Sequence, residues 1–277
     1  YNGVWPLPPV FWTGTSRIGN RSVALEQVGL WVAGALINWV EGLDEKAQSA
    51  VGGLTLMNEP AHMRLIDARQ GRPFAEEAQV LAWIEASSEL FRRSTLPSRG
   101  VKLYVNLMIE TAFEDGWAKL PDWWHRTFTH EERNSWVVMD QHWYSAWLAG
   151  QCDGRSVPGG SYMCNQPIEE IRALLYGCAE DFAKSLSTKF GGLTACTEFS
   201  AGTYHEALFA CNDMDLLRAF MEEQVRAFGK HWVEPFFWTW RMPYGPAFQR
   251  AWSLKVLLGK EHLPAPQPCS LSLGVVA

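Results

Sequence analysis

The stretch GGLTLMNEPAH, Gly52 to His62, runs apolar between glycines and a proline and then breaks into Asn58, Glu59 and Pro60. A short apolar run bounded in this way reads as a buried strand, here Gly53 to Met57. A carboxylate at its tip does nothing for a core, and it is well placed for chemistry. Outward from this strand the chain alternates helical and strand periodicities with turn residues between them. The first 22 residues are irregular. Helices are expected over Val23 to Leu43, Phe74 to Ser94, Ile168 to Phe190, Asp215 to Trp232 and Ala247 to Leu258. Strands are expected at Val101 to Ile109, Trp136 to Tyr144, Leu193 to Phe199 and Pro235 to Trp240, and the segment holding Trp117, Trp123 and Trp124 reads as a loop. Five strands alternating with about five helices are successive βα units. The fold class expected is α/β, a (β/α)8 TIM barrel incomplete in this chain, with strands one to three preceding Tyr1. No fixed-period repeat, low-complexity tract or linker divides the chain, so a single domain over 1–277 is expected.

With 277 residues and a net charge of -6, the sequence lacks the clustered positive charge that nucleic acid or an anionic membrane surface demands. Fifteen tryptophans point to rings that stack on a ligand as well as fill a core. The six cysteines, Cys152, Cys164, Cys178, Cys196, Cys211 and Cys269, contain no CxxC pair, which speaks against a structural zinc. Disulfides, with Cys152 and Cys164 flanking a Gly/Pro-rich loop, and buried free thiols both fit. Asn20-Arg21-Ser22 is a glycosylation sequon and suits a secreted protein. No signal peptide or membrane span is visible, since the longest apolar helical stretch carries Glu26, Gln27 and Asn38.

The other expected strands also end in chemistry. TEFSAG places Glu198 at a tip, VVMDQHWYSAW ends in Asp140, His142 and Tyr144 on one face, and FFWTWR ends in Trp238 and Trp240. Polar and aromatic groups thus collect at the C-terminal end of a parallel sheet, where barrel enzymes keep their active sites. Two carboxylates there suit glycoside hydrolysis without a metal. One protonates the leaving oxygen, the other attacks the anomeric carbon, and retention needs them about 5–5.5 Å apart. An Asn beside the acid can bind the sugar 2-hydroxyl, and a Tyr and a His can hold the nucleophile ionised.

These motifs resemble glycoside hydrolase family 5, and most closely its fungal-type exo-β-1,3-glucanase branch. The Asn58-Glu59-Pro60 triplet is similar to the family's strand-four motif, which implies Asn58 as the 2-hydroxyl contact and Glu59 as acid/base. DQHWYSAW resembles the strand-six motif and implies His142 and Tyr144 in the site, with Trp147 at the position of a plus-subsite aromatic clamp. TEFSAG resembles the nucleophile motif, making Glu198 the nucleophile, and FFWTWR the strand-eight motif, making Trp238 the sugar platform. The chain departs from the family in lacking the Arg of strand two and the His of strand three, and in having Val4 where the clamp Phe is expected, with Trp5 adjacent.

The resemblance implies a retaining hydrolase of a β-glucan, β-1,3-linked, that needs no cofactor or metal. It also implies a β-glucan or oligosaccharide as the partner, a secreted or cell-wall location, and a monomer when complete. A β-1,4-glucanase or mannanase of the same mechanism is one alternative, and a catalytically impaired carbohydrate-binding barrel is another.

Overall fold

The computed structural model of the protein describes residues 11–60, 66–67, 72–73, 75–109, 113–146, 167–203, 211–242 and 250–261. Strands β1 (Thr15–Ile18) and β2 (Arg21–Ala24) form an antiparallel hairpin where an irregular lead was expected. Helix α1 (Leu25–Glu41) and the short α2 (Glu45–Gln48) precede β3 (Gly53–Thr55), and β4 (Ile66–Asp67) pairs with β5 (Arg72–Pro73). Then come α3 (Glu77–Arg92), β6 (Lys102–Asn106), α4 (Gly116–Thr127), α5 (His130–Ser135) and β7 (Val137–Asp140). The remaining elements are α6 (Ile168–Phe190), β8 (Leu193–Phe199), α7 (Met214–Lys230), β9 (Val233–Phe237) and α8 (Leu254–Leu257).

Strands β3, β6, β7, β8 and β9 lie side by side in chain order in one sheet. The β3–β6, β6–β7 and β7–β8 pairs are parallel, with Leu54 opposite Leu103, Leu103 opposite Val137 and Val138 opposite Leu193. Neighbouring strands that are also consecutive in the chain, with helices between them, are βα units, and the fold is α/β. Every residue of β7 is buried, the pattern of a strand covered on both faces. Gly53 meets the ring of Tyr104, which occupies the place a Cβ would take.

The chain divides into two compact units. One comprises Tyr1–His142, Phe182–Thr197 and Phe228–Pro235; the other comprises Trp143–Asp181, Glu198–Ala227 and Phe236–Ala277. In the first, α1 packs beside α3; α1 buries Ala33, Ile37 and Val40, and α3 buries Val80, Trp83, Ile84 and Phe91. These positions recur at helical spacing, and the Trp83 indole N–H donates to the Glu26 carbonyl at 3.0 Å. In the second, the Gln224 amide donates to the Ser200 carbonyl at 2.9 Å, and the Arg218 guanidinium to the Leu257 carbonyl at 3.0 Å.

Helix α4 occupies the segment expected to be a loop. Its Leu120, Trp123 and Trp124 are buried at spacings that suit one helical face. Pro121 sits inside the helix and cannot donate to the carbonyl four residues back. That carbonyl belongs to Trp117, and it accepts from Lys189 Nζ at 3.1 Å instead. The strand expected over Trp136 to Tyr144 stops at Asp140, and the closing helix is interrupted at Ser253. No helix among the described residues is long and apolar enough to cross a membrane.

Candidate functional site

In the first unit, polar groups replace apolar ones where the parallel strands end. The turn after β3 carries half-buried Asn58 and buried Glu59. The Glu59 backbone is left-handed, at φ 45°, a conformation an L-residue adopts at a cost of about 1 kcal/mol. Its N–H donates to Asn106 Oδ1 at 3.1 Å, which fixes the turn. Asn106 ends β6 opposite Asp140 at the end of β7, and its Nδ2 donates to Asp140 Oδ2 at 3.1 Å. Asp140 also accepts from the Thr197 N–H at 2.9 Å and the Thr197 hydroxyl at 2.5 Å. Two residues on, His142 places Nε2 3.2 Å from Thr197 Oγ1 and Nδ1 2.8 Å from Glu59 Oε1. A connected polar network therefore runs from the Asp140 carboxylate to Glu59. Burial pushes the Asp140 carboxyl above its ordinary range, opposed by the charge of His142, the Thr197 bonds and the Asn106 amide.

In the second unit, Glu198 is half-buried and accepts from the Tyr144 hydroxyl at 2.6 Å, a short bond of the charge-assisted kind. The Trp143 N–H donates to the Glu198 carbonyl at 3.0 Å, which ties the segment after β7 to the end of β8. Trp252 lies beside this pair, its ring centroid 5.2 Å from Tyr144 and 5.7 Å from Trp238. Gly202 admits it, because a Cβ there would lie 2.7 Å from the Trp252 ring. The Trp238 N–H donates to the Phe199 carbonyl at 2.8 Å, and the Trp238 ring is half-buried at 84° to Trp252.

The structure thus brings Glu59 together with His142, and Glu198 together with Tyr144. His142, expected beside the nucleophile, hydrogen-bonds Glu59. Asp140, His142 and Tyr144 are not three residues of one strand face, because the strand ends at the first of them. Trp147, Cys152, Cys164 and Cys269 lie outside the described residues, while Cys196 is buried on β8. Asn106, Thr197 and Trp252 went unread in the sequence. Asn106 had a signal, as an amide set inside the apolar run Leu103 to Ile109.

No protein-family model matches this sequence, and no curated protein does. Among solved structures, the chain is similar to the crystal structure of AoRut, with a TM-score of 0.53 and 15% identity over 88% of this chain and 60% of that one. It therefore spans less than two thirds of the AoRut chain. More distant are cellulose synthase subunit Z of Clostridioides difficile, with a TM-score of 0.47 and 14% identity over 84% of this chain and 67% of that one, and a GH5-4 broad specificity endoglucanase from Clostridium acetobutylicum, with a TM-score of 0.44 and 10% identity over 85% and 62%. At these identities the likeness concerns the fold.

Proposed function

We propose that this chain is the catalytic domain of a retaining glycoside hydrolase that cleaves β-glucosidic bonds of a β-glucan by double displacement. The observation that carries the reading is the unlike partnering of two glutamates at strand ends: His142 at 2.8 Å on Glu59, and Tyr144 at 2.6 Å on Glu198. A phenol that donates to a carboxylate keeps it ionised, as a nucleophile must be. An imidazole that can take or return a proton suits an acid that becomes a base. Glu198 attacks the anomeric carbon to form a glycosyl-enzyme; Glu59 protonates the departing oxygen and then deprotonates water. Asn58 binds the 2-hydroxyl, and Trp238 and Trp147 stack on sugar rings.

The β-1,3 linkage, the (β/α)8 barrel and the single domain over 1–277 belong to the same proposal. So does export: Asn20 of the sequon is exposed at the turn between β1 and β2.

The test uses the complete protein with an aryl β-glucoside and with laminari- and cello-oligosaccharides. The first product formed should be the β-anomer by NMR, and a 2-deoxy-2-fluoro-β-glucoside should label Glu198 in the peptide map. An α first product, or a label on Glu59, overturns the assignment. Faster cleavage of cello-oligosaccharides would keep the mechanism and correct the linkage.

A further inference from the structure

Double displacement needs two carboxylates, yet β6 and β7 end in Asn106 and Asp140, and β8 adds Thr197. Asp140 is fully buried and accepts three hydrogen bonds, from Asn106 Nδ2, the Thr197 N–H and the Thr197 hydroxyl. Three donors converging on one carboxylate favour its ionised form against the cost of burial. A hydroxyl has one proton to give. Thr197 gives it to Asp140, so toward His142 Nε2, at 3.2 Å, it accepts. Nε2 therefore carries a proton, and Nδ1 is the nitrogen left to exchange one. It faces Glu59 Oε1 at 2.8 Å. One proton serves both atoms: Glu59 holds it and donates to the neutral imidazole, or the imidazolium holds it and donates to the carboxylate.

We propose that Asp140 and Thr197 are positioning residues of a buried relay that acts through His142 to keep Glu59 supplied with its proton. The relay rests on the acid/base role of Glu59 proposed above. The leaving oxygen takes the shared proton in the first step and the attacking water returns one in the second, so the Glu59–His142 pair ends as it began. The negative charge of Asp140 opposes loss of that proton, and the acid stays loaded to higher pH. Asp140 also feels its neighbours on the sheet. Tyr104 on β6 donates to Glu234 on β9 at 2.9 Å, with Lys102 Nζ 3.3 Å from the same carboxylate. Burial, Glu234 and the charge of Asp140 all push the Tyr104 phenol up, so Tyr104 stays neutral beside the relay. Glu198 is the residue after Thr197 along β8.

The experiment compares Thr197→Val, Thr197→Ser and Asp140→Asn in the complete protein, reading the pH profile of kcat/KM on a glucoside with a poor leaving group. Thr197→Val and Asp140→Asn should each move the basic limb to lower pH by about one unit or more, and Thr197→Ser, which keeps the hydroxyl, should leave it in place. A purely structural role would lower the rate without moving the limb. If Asp140→Asn does not fold, the two Thr197 variants still decide. Nitrogen-15 NMR of His142 gives a readout independent of activity: Nε2 should stay protonated across the window of about pH 5–8 where imidazoles titrate. A neutral form protonated on Nδ1 alone overturns the relay, as does an unmoved limb in Thr197→Val when hydrolysis depends on Glu59. A chain that hydrolyses no glucoside, yet loses the Nε2–H tautomer in Thr197→Val, would sink the hydrolase reading and leave the relay standing.

Discussion

Glu59 turns its carboxylate to an imidazole, and Glu198 turns its own to a phenol. Glu59 is 8% exposed and sits on a left-handed turn held by Asn106, whereas Glu198 is half-buried near the end of a regular strand. Their neighbours differ in what they can do with a proton. His142 can accept one from a carboxyl or donate one to a carboxylate, while the Tyr144 hydroxyl donates its hydrogen bond to the carboxylate it faces. Two copies of one side chain are thus set in unlike proton environments, and the partner residue, not the glutamate, makes the difference.

The hardest way to break this comparison is to delete each glutamate in turn. Glu198→Ala should lower kcat by on the order of 10⁴ to 10⁶, since no glycosyl-enzyme can form. Glu59→Ala should cost on the order of 10² to 10⁴, most on poor leaving groups and little in the first step on an activated aryl glucoside. Azide then separates the faces of the sugar. It should rescue Glu59→Ala as a β-glucosyl azide, because it attacks the glycosyl-enzyme from the emptied acid/base side, and with Glu198→Ala any adduct should be α. The opposite pairing of products would mean the two roles are reversed.

A gentler change sharpens the Glu198 half alone. Tyr144→Phe removes the 2.6 Å hydrogen bond while leaving the ring against Trp252. A hydrogen bond to a charged group is worth about 1.5–3 kcal/mol, so kcat should fall roughly ten- to hundredfold. Equal rates in the two proteins would deny the phenol its part in orienting the nucleophile.

The smallest effect lies away from both glutamates and reports on the scaffold of the first unit. Burial alone would raise the Glu132 carboxyl, but hydrogen bonds from Arg92 and from Thr129 outweigh it and hold it below the usual value. A carboxyl with a depressed folded pKa stabilises above its unfolded pKa, and that stability is lost as pH falls through the folded value. Melting curves from neutral to acidic pH should show Tm falling in the acid range. Arg92→Met should flatten that fall and lower Tm at neutral pH by a few degrees, as expected of a change near 1 kcal/mol. An unchanged slope would assign the acid sensitivity to other carboxyls.

Much of the frame is legible in the sequence because it is a matter of period and punctuation. Gly53, Lys102, Val137, Leu193 and Val233 open strands within or beside the apolar runs that mark them, and α3 and α7 follow the spacing of their apolar faces. Helix α4 was hidden because Pro121 reads as a breaker, and what permits it, the Lys189 ammonium on the Trp117 carbonyl, comes from a residue far along the chain. The β1–β2 hairpin was hidden because its strands alternate on no apolar face.

The amino-acid order by itself determined which strand ends carry Glu59, Asp140 and Glu198, since a polar residue closing an apolar run is a local fact. Which partner each glutamate takes was decided by tertiary structure. His142 and Tyr144 are two residues apart, and a strand through both would have turned them to the same face. Because β7 stops at Asp140, that alternation ends there, and the backbone beyond it delivers the imidazole to Glu59 and the phenol to Glu198. The hydrogen bonds that make those choices join residues more than fifty positions apart, and no local pattern records them.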